Sequence, residues 1–207
     1  DATTKGDGSA TTTGTGTGIG VGVALTVVHS VNEASIGDHA QVAAGSLALE
    51  AGMTDVHGDK VQNFSAEAVS GASGGNIGVA GSVAINVADA KSRAEIKSGA
   101  TVTLSGGSGD VSLATESTTA AKADAQAKSD ATSGKVGIGL SVGLNIANSE
   151  SVATIADTAI VTGGHDMGLT ADSDNTSTTG AQAGGSATGG SGVGIGGAIA
   201  IAVVNNT

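Results

Sequence analysis

Proline, cysteine, tryptophan and tyrosine are absent from the 207 residues, and Phe64 is the only aromatic side chain. Each absence removes a class of structure or chemistry. Without cysteine there is no disulfide framework, no thiolate metal site and no cysteine nucleophile. Without aromatic bulk, the kind of core that an ordinary enzyme of this size builds is not expected. Basic residues are scarce: 8 Lys and Arg stand against 19 Asp and Glu, for a formal net charge of −11 and a pI near 4.4. Such a surface repels nucleic acid and anionic lipid, so neither is expected as a direct partner. Six of the basic residues (Lys91, Arg93, Lys97, Lys122, Lys128, Lys135) fall in the middle third and none follows Lys135, a pattern read as a solvated surface. No apolar run reaches the ~18–20 residues of a membrane helix, so no membrane insertion is expected. The chain opens at Asp1 with no charged-then-apolar leader, so any signal peptide is expected to lie outside it.

What is present is small, apolar and repetitive. Hydrophobic residues make up 39%, charged residues only 13%, which argues against simple disorder, and 36 residues are glycine. An apolar run alternating with small residues occurs four times: GIGVGVALTVV from Gly18, NIGVAGSVAINVA from Asn76, KVGIGLSVGLNIA from Lys135 and GVGIGGAIAIAVV from Gly192. Matching positions Val23, Val83, Val142 and Ile199 are 60, 59 and 57 residues apart. A second block follows three of the runs: ASIGDHAQV from Ala34, AEIKSGATV from Ala94 and ATIADTAIV from Ala153. Then come the pairs Leu47/Leu49, Val111/Leu113 and Met167/Leu169, and a block of small residues, SAEA from Ser65, DAQA from Asp124 and GAQA from Gly180. Four blocks recurring in one order mark a repeat protein.

The period within each run is two, as in Val136, Ile138, Leu140, Val142, Leu144 and Ile146, which predicts strands and not helices. Clusters such as GDH from Gly37, SGGSGD from Ser105 and TGGHD from Thr162 predict turns. The expected fold is all-β, a parallel β-helix (β-solenoid) built from ~58-residue repeats that stack into one core. Residues 1–207 form one continuous segment, with repeats near 18–75, 76–134 and 135–191 and partial ones at 1–17 and 192–207. Neither end carries a polar cap, and SATTTGTGTGIG from Ser9 resembles SATGGSGVGIGG from Ser186, so the chain is expected to be part of a longer array. Three coils of roughly 19–20 residues would fit each repeat, with two wider coils also open; ten to eleven coils at ~4.8 Å would give a rod on the order of 50 Å. The lack of proline fits strands that all donate ladder hydrogen bonds, and small interior residues would let opposite sheets approach closely. The Val/Ile/Leu runs are expected to supply most of the buried apolar area, and Val142→Asp to bury an unpaired charge at a cost of several kcal/mol.

The order A-x-I-x-x-x-A-x-V, a glycine turn, then L-x-L-x-A, seen at Ala153-Thr154-Ile155 to Val161, Gly163-Gly164 and Met167 to Ala171, resembles the β-helical shafts of large secreted bacterial adhesins. Filamentous-haemagglutinin-like exoproteins and autotransporter passengers share this style. The resemblance implies a secreted or cell-surface, shaft-forming, non-catalytic region that supports adhesion or biofilm formation. A trimeric autotransporter head lacks support because no ~14-residue coil repeat is visible. The calcium-binding G-G-x-G-x-D pattern is not tandemly repeated, which excludes that β-roll.

Motifs that could carry chemistry have plainer readings beside them. Gly192 to Gly197 satisfies G-x-G-x-x-G, but a nucleotide site needs a following helix, and Ala198 onward reads as strand. Asp55, His57 and Asp59, the pair Asp172 and Asp174, and the pair His165 and Asp166 could offer ligands to Ca²⁺; they read first as polar turns, with weak Ca²⁺ binding left open by the acidity. His29, His39, His57 and His165 share no column; His29 aligns with Asp89, Asn148 and Asn205. The alternating threonines from Thr11 suggest an ice-binding ladder that later copies do not sustain. No catalytic, cofactor-binding or metal residue is assigned.

The expectation is therefore a stiff, non-catalytic spacer of a secreted or surface-anchored adhesin. Alternatives are a module recognising glycan or a host protein through a solenoid face, without aromatic platforms to do so, or a polysaccharide-acting β-helix enzyme. Self-association through coil ends or lateral faces is open; contacts with a host surface or glycan are expected outside this chain.

Overall fold

The computed structural model describes residues 1–55, 57–131, 136–188 and 191–207. Lys135 and the glycines at 189–190, which entered the reading above, lie outside the described residues. Twelve strands account for most of the described residues: β1 (Ala2–Thr11), β2 (Thr17–Ile36), β3 (Gln41–Ala44), β4 (Leu47–Ala51), β5 (Gln62–Ser73), β6 (Ile77–Ile96), β7 (Thr101–Leu104), β8 (Val111–Ala131), β9 (Val136–Ile155), β10 (Ile160–Thr162), β11 (Met167–Ala187) and β12 (Val193–Asn206). Among the described residues there is no helix. The fold is all-β, as the period-two pattern predicted.

The strands form three sheets, and every pairing is parallel. An aliphatic sheet runs β2-β6-β9-β12, a short sheet runs β3-β7-β10, and a polar sheet runs β1-β5-β8-β11 with β4 also on β8. In chain order the elements visit the aliphatic, short and polar sheets in turn. Residues aligned by sequence become direct neighbours: Val23, Val83, Val142 and Ile199 stand side by side, as do Ile36, Ile96 and Ile155. The small-residue block needs one correction. Ser65 sits beside Lys122, two residues before the expected Asp124, whereas Asp124 does pair with Gly180.

The division into coils also needs correction. Paired residues are 56–64 positions apart in every sheet, so one sequence period makes one full passage through the three sheets, not three passages of 19–20 residues, nor two. Four stacked strands at ~4.8 Å extend only about 14 Å between the outermost strands, far short of the ~50 Å rod. Each 20-residue strand is instead about 66 Å long, so the molecule is broad across its strands.

Inward side chains grade in size along those strands. In β6 they run Gly78, Ala80, Ser82, Ala84, Asn86, Ala88, Ala90, Ser92, Ala94 and Ile96. Beside the short sheet, Ile36, Ile96, Val102, Leu104, Val111 and Leu113 form the main aliphatic cluster among the described residues. At the far end the sheets touch backbone to backbone: a Cβ at Gly137 would overlap the carbonyl oxygen of Ser186, and one at Gly139 that of Gly184. The close approach expected from small interior residues is thus present. Between the extremes lies a polar zipper. Asn86 Nδ2 donates to Asn145 Oδ1 (2.9 Å), Asn145 Nδ2 donates to the Ala121 carbonyl (2.9 Å), and Thr115 Oγ1 lies 2.7 Å from Ser151 Oγ.

Candidate interaction surface

The Val/Ile/Leu runs face outward, against expectation. On one strand only one parity can face the polar sheet, and opposite the aliphatic run that sheet lies close enough to leave room inside for Gly, Ala, Ser and Asn only. The large aliphatics take the other parity. Val142 is 37% exposed, so Val142→Asp would not bury a charge and the predicted loss of several kcal/mol is withdrawn. The buried apolar area comes from alanines and from the cluster beside the short sheet.

Outward residues of the aliphatic sheet line up in columns across β2, β6, β9 and β12. Ile19, Val79, Ile138 and Ile195 form one; Val23, Val83, Val142 and Ile199 another; Leu25, Ile85, Leu144 and Ile201 a third; Val27, Val87, Ile146 and Val203 a fourth. Between the first two runs Val21, Gly81, Leu140 and Gly197, a column of alternating large and small residues. Ile19, Val21 and Val23 are each about 60% exposed. Five columns at ~6.6 Å and four strands at ~4.8 Å cover about 19 by 33 Å, on the order of 600 Å². That is the upper end of what a monomeric soluble protein normally leaves bare.

The same face changes character halfway along each strand. The next columns are His29, Asp89, Asn148 and Asn205, then Val31, Lys91 and Glu150, then Glu33, Arg93 and Val152. Here charges pair between strands. Arg93 Nη2 lies 2.7 Å from Glu150 Oε1, Lys97 Nζ 2.6 Å from Glu33 Oε1, and His29 Nδ1 2.8 Å from Asp89 Oδ2. The hydrogen bond from Lys97 holds the Glu33 carboxyl below its ordinary value, and that to Glu150 raises Arg93. The outer face of the polar sheet is ionic as well: Lys122 and Lys5 both bond Glu67, Lys122 leading, and lower its carboxyl.

The other sequence candidates are dispersed. Asp55 Oδ1 accepts the Gly58 amide and Asp59 Oδ1 the Val61 amide, so these carboxylates close an exposed turn. Asp172 and Asp174 sit two apart on the outer side of β11, with Ser173 between them pointing inward. His165 does meet acids: its Nδ1 is 3.1 Å from Asp166 and 3.7 Å from Asp110, a residue the sequence reading missed because it belongs to the preceding repeat. All three are exposed. The G-x-G-x-x-G motif starts one residue before β12 and continues as that strand, which pairs along its length with β9, so no helix follows the glycines. The threonine run bends between β1 and β2 and forms no flat ladder.

No family model, curated protein or solved structure matches the chain.

Proposed function

We propose that the chain is a structural shaft segment of a large secreted or surface-anchored bacterial adhesin, a parallel β-helix in which each ~58-residue repeat makes one lap. The observation that carries this reading is the uninterrupted in-register pairing of β2, β6, β9 and β12, 57–60 residues apart. Such a stack accepts further laps without altering those already present. Its mechanism is mechanical: ladders of backbone hydrogen bonds hold a distal binding region away from the cell. Ion pairs between successive laps, such as Arg93 with Glu150 and Lys122 with Glu67, add register at small individual gain.

Small-angle scattering and cell-binding assays on the isolated chain test it. A rigid particle with one dimension near 66 Å that binds neither glycans nor host cells supports the shaft. Saturable binding to either would move the role to recognition, and turnover of an acidic polysaccharide would move it to catalysis.

A further inference from the structure

We propose that the aliphatic half of the β2-β6-β9-β12 sheet is a self-association surface, packed face to face on the same half-face of a second copy related by a two-fold axis. Area is the first argument. Pairing two patches of roughly 600 Å² buries about 1,200 Å², enough to clear the ~1,000 Å² that a specific interface needs. Composition is the second. Val, Ile and Leu alternating on a flat parallel sheet are what facing sheets use at ~10 Å separation.

Shape favours a copy of the same surface. In the Val21-Gly81-Leu140-Gly197 column, Leu140 stands 54% exposed and leans over Gly197, its Cδ2 3.1 Å from where a Cβ there would be. Beside it the space above Gly81 is open, with nothing within 4 Å of a built Cβ. A protruding leucine next to a notch of leucine width is self-complementary, since a two-fold places the knob of each copy over the notch of the other.

Charge favours it over lipid. The aliphatic half carries no ionic group among the described residues, and the chain has no tryptophan or tyrosine to anchor it at a membrane interface. A net charge of −11 opposes an anionic membrane. Between copies that charge matters less. The acids on this face, Glu33, Asp89, Glu95 and Glu150, are interspersed with Lys91 and Arg93 and occupy the other half of the strands. The two-fold that seats Leu140 over Gly81 runs along the strands and exchanges β6 with β9, so it turns Lys91 of each copy toward Glu150 of the other and Asp89 toward Asn148, and sets no acid opposite an acid on those two strands.

Sedimentation velocity of the full chain over a concentration series, with far-UV circular dichroism as the folding control, tests the proposal. A reversible dimer is expected. Val83→Lys, on an inner strand and pointing outward, should raise its dissociation constant at least tenfold while the spectrum and urea midpoint stay close to the parent's. The chain has no cysteine, so Val142→Cys should be cross-linked between copies by a short bismaleimide, which spans the ~10 Å between facing sheets, whereas Thr118→Cys, on the outer face of the polar sheet, should not. A chain that stays monomeric at every concentration, with a native spectrum and no Val142 cross-link, overturns the proposal. So does association that survives Val83→Lys and grows without limit, which would mean end-to-end pairing of open strands. Flotation of a monomer with phosphatidylcholine vesicles would assign the face to lipid instead.

Discussion

The orientation of the long strands can be tested by two substitutions three residues apart on β9. Gly139 points inward and Val142 outward. A Cβ at Gly139 would overlap the Gly184 carbonyl oxygen and stand 2.9 and 3.0 Å from its carbonyl carbon and amide nitrogen. These are backbone atoms, so Gly139→Val must part the sheets locally, and overpacking of this kind costs about 1–3 kcal/mol. Valine recovers at most about 1 kcal/mol through its strand preference. Its two methyls add to the clash, which places the loss near the top of the range and the net cost at about 2 kcal/mol. Val142→Thr keeps the branched shape and replaces one partly exposed methyl with a hydroxyl that water can reach. That change should cost less than about 1 kcal/mol. Urea unfolding followed by circular dichroism, at concentrations low enough to suppress association, reads both. Midpoints are compared, because repeat arrays depart from two-state behaviour. With the aliphatics inside, the order would invert: threonine would bury a hydroxyl and valine at 139 would meet solvent. A Val142→Thr loss larger than that of Gly139→Val refutes the inward-small arrangement.

Three further outcomes are expected. Asn145→Ala removes a buried amide that bonds Asn86, the Ala121 carbonyl and Ser177, and should cost about 2–3 kcal/mol; a double-mutant cycle with Asn86→Ala should show coupling, and strict additivity would mean that the two do not interact. Glu33 and Glu67 are held below their ordinary value of 4.5 in the folded state, so their contribution is complete above that pH and is lost as pH falls through the lowered values. The urea midpoint should therefore fall between pH 6 and pH 3, less so in Glu33→Gln/Glu67→Gln, and an equal fall in both proteins would count against these pairs. His39 holds a φ of 57° in the turn after β2, where the neighbouring lap has Gly99 at 69°. His39→Gly should raise the midpoint by the equivalent of a few tenths to about 1 kcal/mol in the same assay, and a lowered midpoint would mean that the imidazole's contact beside Gly99 outweighs the backbone strain.

Strand content, turn positions and neighbours across the sheets were legible in the sequence, because period two and a ~58-residue repeat leave few other arrangements. Facing was misread, although the signal was present. In the second copy Ile77, Val79, Val83, Ile85 and Val87 share their parity with Asp89, Lys91, Arg93 and Glu95, whereas Gly78, Ala80 and Ala84 share theirs with Ala94 and Ile96. A strand without a bulge cannot change parity, so the charges place the aliphatics outside and Ile96 places the glycines inside. Hydrophobicity alone pointed the other way. The lap length was not legible, because a period fixes which residues are equivalent and not how many turns lie between them. The Asp110-His165-Asp166 cluster was half visible: His165 and Asp166 adjoin in sequence, but Asp110 arrives from the neighbouring lap.

Lap length bears on what the proposed shaft would be suited to. Stacked laps of ~58 residues advance ~4.8 Å each, roughly a third of the reach per residue of a 20-residue coil. Chain spent this way yields breadth, and strands of about 66 Å stiffen the stack against bending in their own plane. Breadth also multiplies surface. Every added lap extends the aliphatic half-face by a further row of about five outward positions, some 160 Å² on each copy. If that face joins two copies, their attraction must grow with the number of laps, whereas pairing through the open ends of the stack involves only terminal strands and stays constant. A chain lengthened by one ~58-residue period should therefore dimerise more tightly in sedimentation experiments at equal molar concentration. An unchanged dissociation constant would locate the contact at the ends of the stack and leave the exposed columns without a partner.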